Sequence, residues 1–337
     1  MRERLLELMD RNSLGAVVLR RPENFAWYTG GGNSRVEYAA PEGVADVVVT
    51  PEREWVLTST IEAPRMRAEE VPRFQVVDYP WHEGPDGALR ELVGDAALGA
   101  DVRLAEARDV SHEVSALRRV LDSAAIDRLR AVGADLTDAL AEVAAALAPG
   151  VTEHTAAGHL AEACRSRGLV PTVLLAATHE RIARHRHPLP TGARLERRAM
   201  IVASAQRGGL YANLTRIVWL GEPDREVARR QFACDDILAR TREEATRPGR
   251  TLAEAFDDVR RFYAEAGFPD EWRLHHQGGI TGYASREVIA TPHTHVEIEP
   301  GMAFAWNPSI TGAKAEETFV LTEAGPELVT GASLAVA

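Results

Sequence analysis

Apolar residues along this chain follow two rhythms. Residues 15–19 (GAVVL), 45–50 (ADVVVT) and 55–58 (WVLT) are short β-branched runs bounded by Pro, Gly or charge, and they read as strands. Residues 3–9 and 111–120 carry apolar positions at helical spacing. This alternation predicts an α/β domain in which helices cover a sheet. From residue 117 the pattern changes. Residues 117–153 (LRRVLDSAAIDRLRAVGADLTDALAEVAAALAPGVTE) hold a long helical period that stops at Pro149-Gly150, and Thr152-Glu153 open a second helix over 154–168. A strand over 172–176 follows, then helices over 226–245 and 251–267, and the chain closes with strands through residue 331. The change of pattern divides the chain into an α/β domain over residues 1–116 and an α+β domain over residues 117–337.

Composition narrows this picture. The chain has 337 residues, enough for two cores, with 45% hydrophobic and 26% charged residues, as in a soluble globular protein. A net charge of −11 argues against nucleic-acid backbones as partners. Cys164 and Cys234 lie in helix-like segments with no CxxC spacing, which argues against a disulfide framework or a zinc-thiolate site. No apolar run reaches the roughly 18 residues of a membrane span. The first residues, MRERLLELMDRN, are an amphipathic helix rather than a signal peptide, so a cytoplasmic location is expected.

The candidate chemistry sits in four segments. Residues 200–221 read MIVASAQRGGLYANLTRIVWLG, and residues 298–325 read IEPGMAFAWNPSITGAKAEETFVLTEAG. In the second, strand alternation puts Trp306 and Pro308 on one face and Asn307 and Ser309 on the other. It brings Lys314 and Glu316 to one face, with Glu317 opposite. In residues 183–196 (ARHRHPLPTGARLE), an extended segment would point His185 and His187 one way and Arg184 and Arg186 the other. In residues 274–287 (LHHQGGITGYASRE), His275 and His276 are adjacent, so on a strand only one faces a pocket, and His276 is the choice. A His that titrates near neutrality suits proton shuttling.

The two strand segments resemble the metal-binding strands of the pita-bread metallopeptidase family, which includes methionine and Xaa-Pro aminopeptidases, prolidase and the metal-free relative creatinase. That family writes them D-x-G-x-x-x-x-G-Y-x-x-D-x-T-R and E-P-G-M-x-F-x-x-E-P…R-I-E-D-T. Here Val202 replaces the first Asp, Asn213 the second and Asn307 the first Glu; Glu316 alone stays a carboxylate. Residues 21–34 (RPENFAWYTGGGNS) are similar to the creatinase-type N-terminal domain, where an N-x-x-Y-L-T-G strand ends in a loop. The resemblance implies a creatinase-type N-terminal α/β domain followed by a pita-bread catalytic domain. The family's metal His falls on Gly279 if Arg286-Glu287 match its H-E pair, or on His276 in a second register.

A pair of divalent cations needs several anionic oxygen donors. Val202 has no donor atom, and Asn213 and Asn307 offer only neutral oxygens. The resemblance with these losses implies no metal and no cofactor. It implies a metal-independent, creatinase-like hydrolase cleaving a C–N bond of amide or amidine type in a small molecule, in a specialised pathway. In that reading His185 is the acid–base, the family position being matched by Pro188 three residues on. Glu316, Asn213 and Asn307 orient substrate and water. His276, Lys314 and either Tyr283 or Arg286 stabilise negative charge, and His187 contacts substrate. In creatinase-like dimers the N-terminal domain of one subunit caps the other's site, which implies a homodimer with Arg35 clamping a substrate carboxylate. Two alternatives stand beside this: a metal-dependent Xaa-Pro aminopeptidase or dipeptidase with a degenerate site, and a non-hydrolytic enzyme (cyclase, isomerase, lyase) or non-catalytic binding protein on the same fold.

Overall fold

In the computed structural model, which describes residues 1–331, the β-branched runs become the centre of one mixed sheet. The chain divides into two compact units, Met1–Arg118 and one beginning at Arg119. The first unit runs α1 (Arg2–Arg11), β1 (Ala16–Leu19), α2 (Pro22–Thr29), β2 (Ala45–Val49), β3 (Glu54–Ser59), the one-turn α3 (Ala63–Arg65), β4 (Val76–Tyr79), α4 (Asp86–Val93), β5 (Leu98–Ala100), β6 (Arg108–Asp109) and α5 (Ser111–Leu117). Its six strands lie in the order β4-β3-β2-β1-β5-β6. β1 and β2 are buried along their whole length, so their sequences are continuous apolar runs rather than alternating ones.

One sequence expectation fails in this unit. The NFAWYTG segment is not a strand but the helix α2. Pro22 stands in its first turn, where a missing N–H does no harm, and Gly30 ends it with φ 76°, a left-handed cap that glycine adopts freely. Asp101 fastens the start of this helix by accepting from the backbone N–H groups of Arg20 and Arg21 and from Asn24 Nδ2. Trp27 and Tyr28 are buried.

The second unit runs α6 (Ser123–Ala146), α7 (Glu153–Ser166), β7 (Val170–Thr178), α8 (His179–Arg184), β8 (Arg198–Arg207), β9 (Leu210–Trp219), α9 (Arg225–Arg240), α10 (Leu252–Glu265), β10 (Gly278–Thr281), β11 (Val288–Ile289), β12 (Ala303–Trp306), β13 (Ser309–Ile310), β14 (Ala313–Lys314), β15 (Glu317–Thr322) and β16 (Gly325–Leu328). Side-chain caps start its long helices: Asp122 on α6, Thr152 on α7, Asp224 on α9 and a Thr251/Glu254 capping box on α10. β7-β8-β9 form an antiparallel sheet, and β11-β10-β12-β15-β16 form a second. The helices α6 and α7 cover one face of the first sheet through Ala199, Ile201, Ala203 and Ala205. The helices α9 and α10 cover the second through Phe304, Trp306 and Phe319. The pleat therefore turns Val202 and Ser204 of β8 to the face away from α6 and α7.

The two sheets are stitched together where β9 meets the start of β15. Thr215 N–H donates to Glu316 O at 3.2 Å, and Asn213 N–H donates to Thr318 Oγ1 at 2.8 Å. This junction brings the candidate residues of two distant sequence segments onto one patch.

Candidate active site

Glu316 is the centre of a buried charge cluster. Its Oε1 accepts from Arg286 Nη2 at 2.8 Å. Its Oε2 accepts from Thr215 Oγ1 at 2.8 Å and lies 3.3 Å from Lys314 Nζ. Burial works to raise the carboxyl pKa, but the Lys314 ammonium and the Arg286 guanidinium overcome it and hold the group down at about 2. Lys314 and Glu316 share one face, as strand alternation requires, and Glu317 turns to Arg242 instead.

The positions that the resemblance matches to the family's metal ligands carry a different set of groups here. Val202 packs in an apolar cluster with Leu175, Ala177, Ile182 and Met200. It pairs across the strand with Thr215, and Ser204 pairs with Asn213. Asn213 Nδ2 donates to Thr281 Oγ1 at 3.3 Å. Asn307 is buried, and its Oδ1 has no hydrogen-bond partner among the described residues. Gly279 pairs with both Ile289 and Ala305, at φ 147°. A Cβ built there would lie 2.2 Å from Val288 O, so this backbone position admits no side chain at all. The donor set does not fit two divalent cations in either register: one position is apolar, two are neutral amides, the one carboxylate already pairs with two internal cations, and the fifth is Gly279, closed to any side chain, or the single imidazole of His276.

Three histidines form a second cluster. His187 Nε2 lies 2.9 Å from His275 Nε2, and the rings of His275 and His276 stack with centroids 4.5 Å apart. The expectation that only one of the adjacent pair faces the site fails. Both residues lie between the turn Glu271–Leu274 and the start of β10 at Gly278, outside any strand pairing, so strand alternation does not decide which way they face. His185 is not in the cluster. It is the exposed residue that ends α8, with its N–H bonded back to Arg181 O at 3.0 Å. The alternation drawn through residues 184–187 needs an extended segment, and the chain there is leaving a helix. Burial pushes His275 down to about 2, aided by the Lys314 cation, and pushes His276 down to about 4, aided by Arg286. Burial and Lys314 also lower His187. All three shifts favour the neutral imidazole, and the rings sit in the field of the Glu316 cluster.

A brace that the sequence does not announce holds the histidines together. Arg186 Nη2 donates to Glu271 Oε2 at 2.5 Å and to Thr311 Oγ1 at 3.0 Å, while Thr311 N–H donates to Glu271 Oε2 at 2.9 Å. Gln277 Nε2 holds His275 O at 2.7 Å, and its Oε1 accepts from Tyr263 OH at 2.8 Å. The fully buried Glu153 pins both ends of the segment that carries His187. It accepts from Thr178 N–H at 2.9 Å, from Thr191 N–H at 2.9 Å, from Thr191 Oγ1 at 2.7 Å and from Arg181. Glu153→Gln is expected to cost about 2–3 kcal/mol of stability, the range for charged hydrogen bonds lost in a buried site. Urea unfolding checks it; a loss below about 0.5 kcal/mol would show that the carboxylate is not what pins the segment.

Other expected site residues stand elsewhere. Tyr283 is buried, with its hydroxyl accepting from Arg128 Nη2 at 2.8 Å, and burial pushes its phenol up. Arg286 serves Glu316 rather than Glu287. Arg35, in the first unit, lies 3.6 Å from Glu23 and donates to Ala40 O at 3.0 Å.

Comparison with known proteins agrees with this architecture. Residues 127–323 match the model of metallopeptidase family M24, and residues 1–132 match the creatinase/prolidase N-terminal domain. A probable dipeptidase PepE of Mycobacterium tuberculosis is 27% identical over 311 residues, 85% of this chain and 80% of the relative. An Xaa-Pro dipeptidase of Pyrococcus furiosus is 22% identical, covering 97% of each chain. The crystal structure of the prolidase from Pyrococcus horikoshii superposes with a TM-score of 0.84 at 19% identity, over 100% of this chain and 99% of that one. With a creatinase-type N-terminal domain leading into the pita-bread arrangement of sheets and helices, and with the family model matched over more than half its length, this chain belongs to metallopeptidase family M24.

Proposed function

We propose that the chain is a hydrolase of a C–N bond in a small amide or dipeptide-like molecule, and that it works without the two-metal carboxylate centre. One observation carries the second half of this reading: both oxygens of Glu316 are already taken by Thr215, Lys314 and Arg286. The two cations supply inside the protein the positive charge that bound divalent ions would bring. His187 rather than His185 is then the proton carrier, because it alone of the two stands with His275 beside the charge cluster. Water adds to the carbonyl or amidine carbon and gives its proton to the neutral His187 imidazole. The same proton passes to the leaving nitrogen as the C–N bond breaks. The unpartnered Asn307 Oδ1 accepts an N–H of the substrate, and the Lys314 and Arg286 charges lower the energy of the developing oxyanion. A homodimer is part of this reading, and sedimentation checks it.

A second reading is metal-dependent dipeptidase action, favoured by the family and by the names of the relatives. One panel separates the two. Xaa-Pro and other dipeptides, lactams and guanidino compounds are assayed on chelator-treated protein and again after adding manganese, cobalt or zinc. Turnover in chelator, with His187→Ala slower by about 10²–10⁴-fold, is the expected result. Turnover only with added metal, or a larger loss in His185→Ala than in His187→Ala, overturns the proposal.

A further inference from the structure

We propose that His187, His275 and His276 form a binding site for one nitrogen-preferring divalent transition ion, with a donor set unlike the family's carboxylate centre. One ligand nitrogen from each ring lies within 4.8 Å of the other two. Around an ion with M–N bonds of about 2.0–2.1 Å, tetrahedral ligand nitrogens sit about 3.3 Å apart, so the widest pair closes by a side-chain shift of about 1.5 Å. The pair His187 Nε2 and His275 Nε2, at 2.9 Å, is already that close.

An independent observation points to a missing ligand. Nδ1 of His275 and Nδ1 of His276 are both buried with no hydrogen-bond partner among the described residues, and buried polar atoms are rarely left so. Two adjacent histidines with orphaned nitrogens, stacked beside a third, are a poor arrangement for packing alone. Coordination through Nδ1 uses that orphaned lone pair and leaves the His187 Nε2–His275 Nε2 contact in place, whereas coordination through His275 Nε2 uses the atom already 2.9 Å from His187.

The donor set selects the ion. Three neutral imidazoles with no carboxylate among them suit zinc, nickel, copper or cobalt, whereas magnesium, calcium and manganese take oxygen-rich sites. Three protein ligands leave a fourth position open, as in catalytic rather than structural zinc sites. The Arg186–Glu271–Thr311 brace fixes both chain segments that carry the rings. Lys314 and Arg286 oppose the ion's charge, and Glu316 offsets them. An ion held here takes a lone pair of His187, so under the proposed metal-free reaction it competes with proton transfer and slows turnover. Binding itself does not depend on that reading.

The test is direct binding. The full chain, freed of metal, is titrated with zinc and with manganese by calorimetry, and its Cu²⁺ form is examined by electron spin-echo modulation, which detects coordinated imidazole in the unmutated protein. Zinc binding at about one equivalent per chain is expected, weakened more than about tenfold in His275→Gln and in His276→Gln, with manganese bound far more weakly. Imidazole modulation in the Cu²⁺ form is expected as well. Binding kept in both His variants but lost in the double variant Asn213→Ala/Asn307→Ala would place the ion at the family's centre and overturn the proposal. Absence of zinc binding, or of imidazole modulation in the loaded native chain, would overturn it too.

Discussion

Glu316→Gln is expected to cost about 3–5 kcal/mol of folding stability, the range for breaking a buried ion pair from one side. Glu316 and Lys314 are each only 5% exposed at the side chain, and Arg286 is 14% exposed. Removing the one negative charge leaves two cations close together in a poorly solvated site, with Thr215 and Arg286 deprived of a charged acceptor. Replacing the pair is different from breaking it. Glu316→Gln combined with Lys314→Met removes the uncompensated ammonium and is expected to recover part of the loss, since apolar replacements of buried ions are often neutral. Urea unfolding of the two variants measures this. A double variant no more stable than the single one would show that charge compensation is not what Lys314 provides. Under the proposed metal-free reading, in which Lys314 and Arg286 stand where divalent ions would otherwise act, Glu316→Gln is expected to abolish turnover in chelator-treated protein.

Gly279→Ala has the larger structural effect. The methyl group would enter a gap of 2.2 Å to Val288 O and 2.9 Å to Ala290 N, in a backbone at φ 147° that L side chains rarely adopt. Both neighbours are backbone of β11 or of the residue just past it, so neither yields without disturbing the pairing of β10 to β11. A loss of about 4–5 kcal/mol or more follows from strain combined with a broken sheet. The expected outcome is insoluble protein, or a folded fraction melting far below the parent. The same substitution at Gly192, an exposed loop glycine with nothing within 4 Å of its Cβ, is the control and is expected to change stability by about 0.5 kcal/mol or less. A Gly279→Ala chain as stable as the control would mean that β10 is not seated against β11 as described. The prediction also bears on function. In the register that matches the family's metal His to Gly279, the backbone itself bars a side chain there; in the other register the matching residue is His276.

Much of this chain is legible from local pattern. The β-branched runs that predict strands are strands, and the helical periods over 117–153 and 251–267 are α6 and α10, because periodicity and capping residues act within a few positions of one another. The creatinase-type and pita-bread architecture, and the exchange of carboxylates for Val202, Asn213 and Asn307, are readable from residue identity alone. So is the shared face of Lys314 and Glu316, which depends only on alternation. The α2 helix was hidden because NFAWYTG carries β-prone residues, and burial between Pro22 and Gly30 outweighs that propensity. Which histidines meet is a matter of tertiary structure. His187 and His275 are 88 residues apart, and they are brought to 2.9 Å by an Arg186–Glu271 pair that no local spacing encodes. The same holds for Arg286, drawn past its neighbour Glu287 to Glu316, 30 residues on. Sequence determined the elements and the chemistry available to them, since both depend on residue type and short-range geometry. The folded chain alone decided which of those groups share a site, because that depends on long-range packing and on where buried charges find their counter-charges.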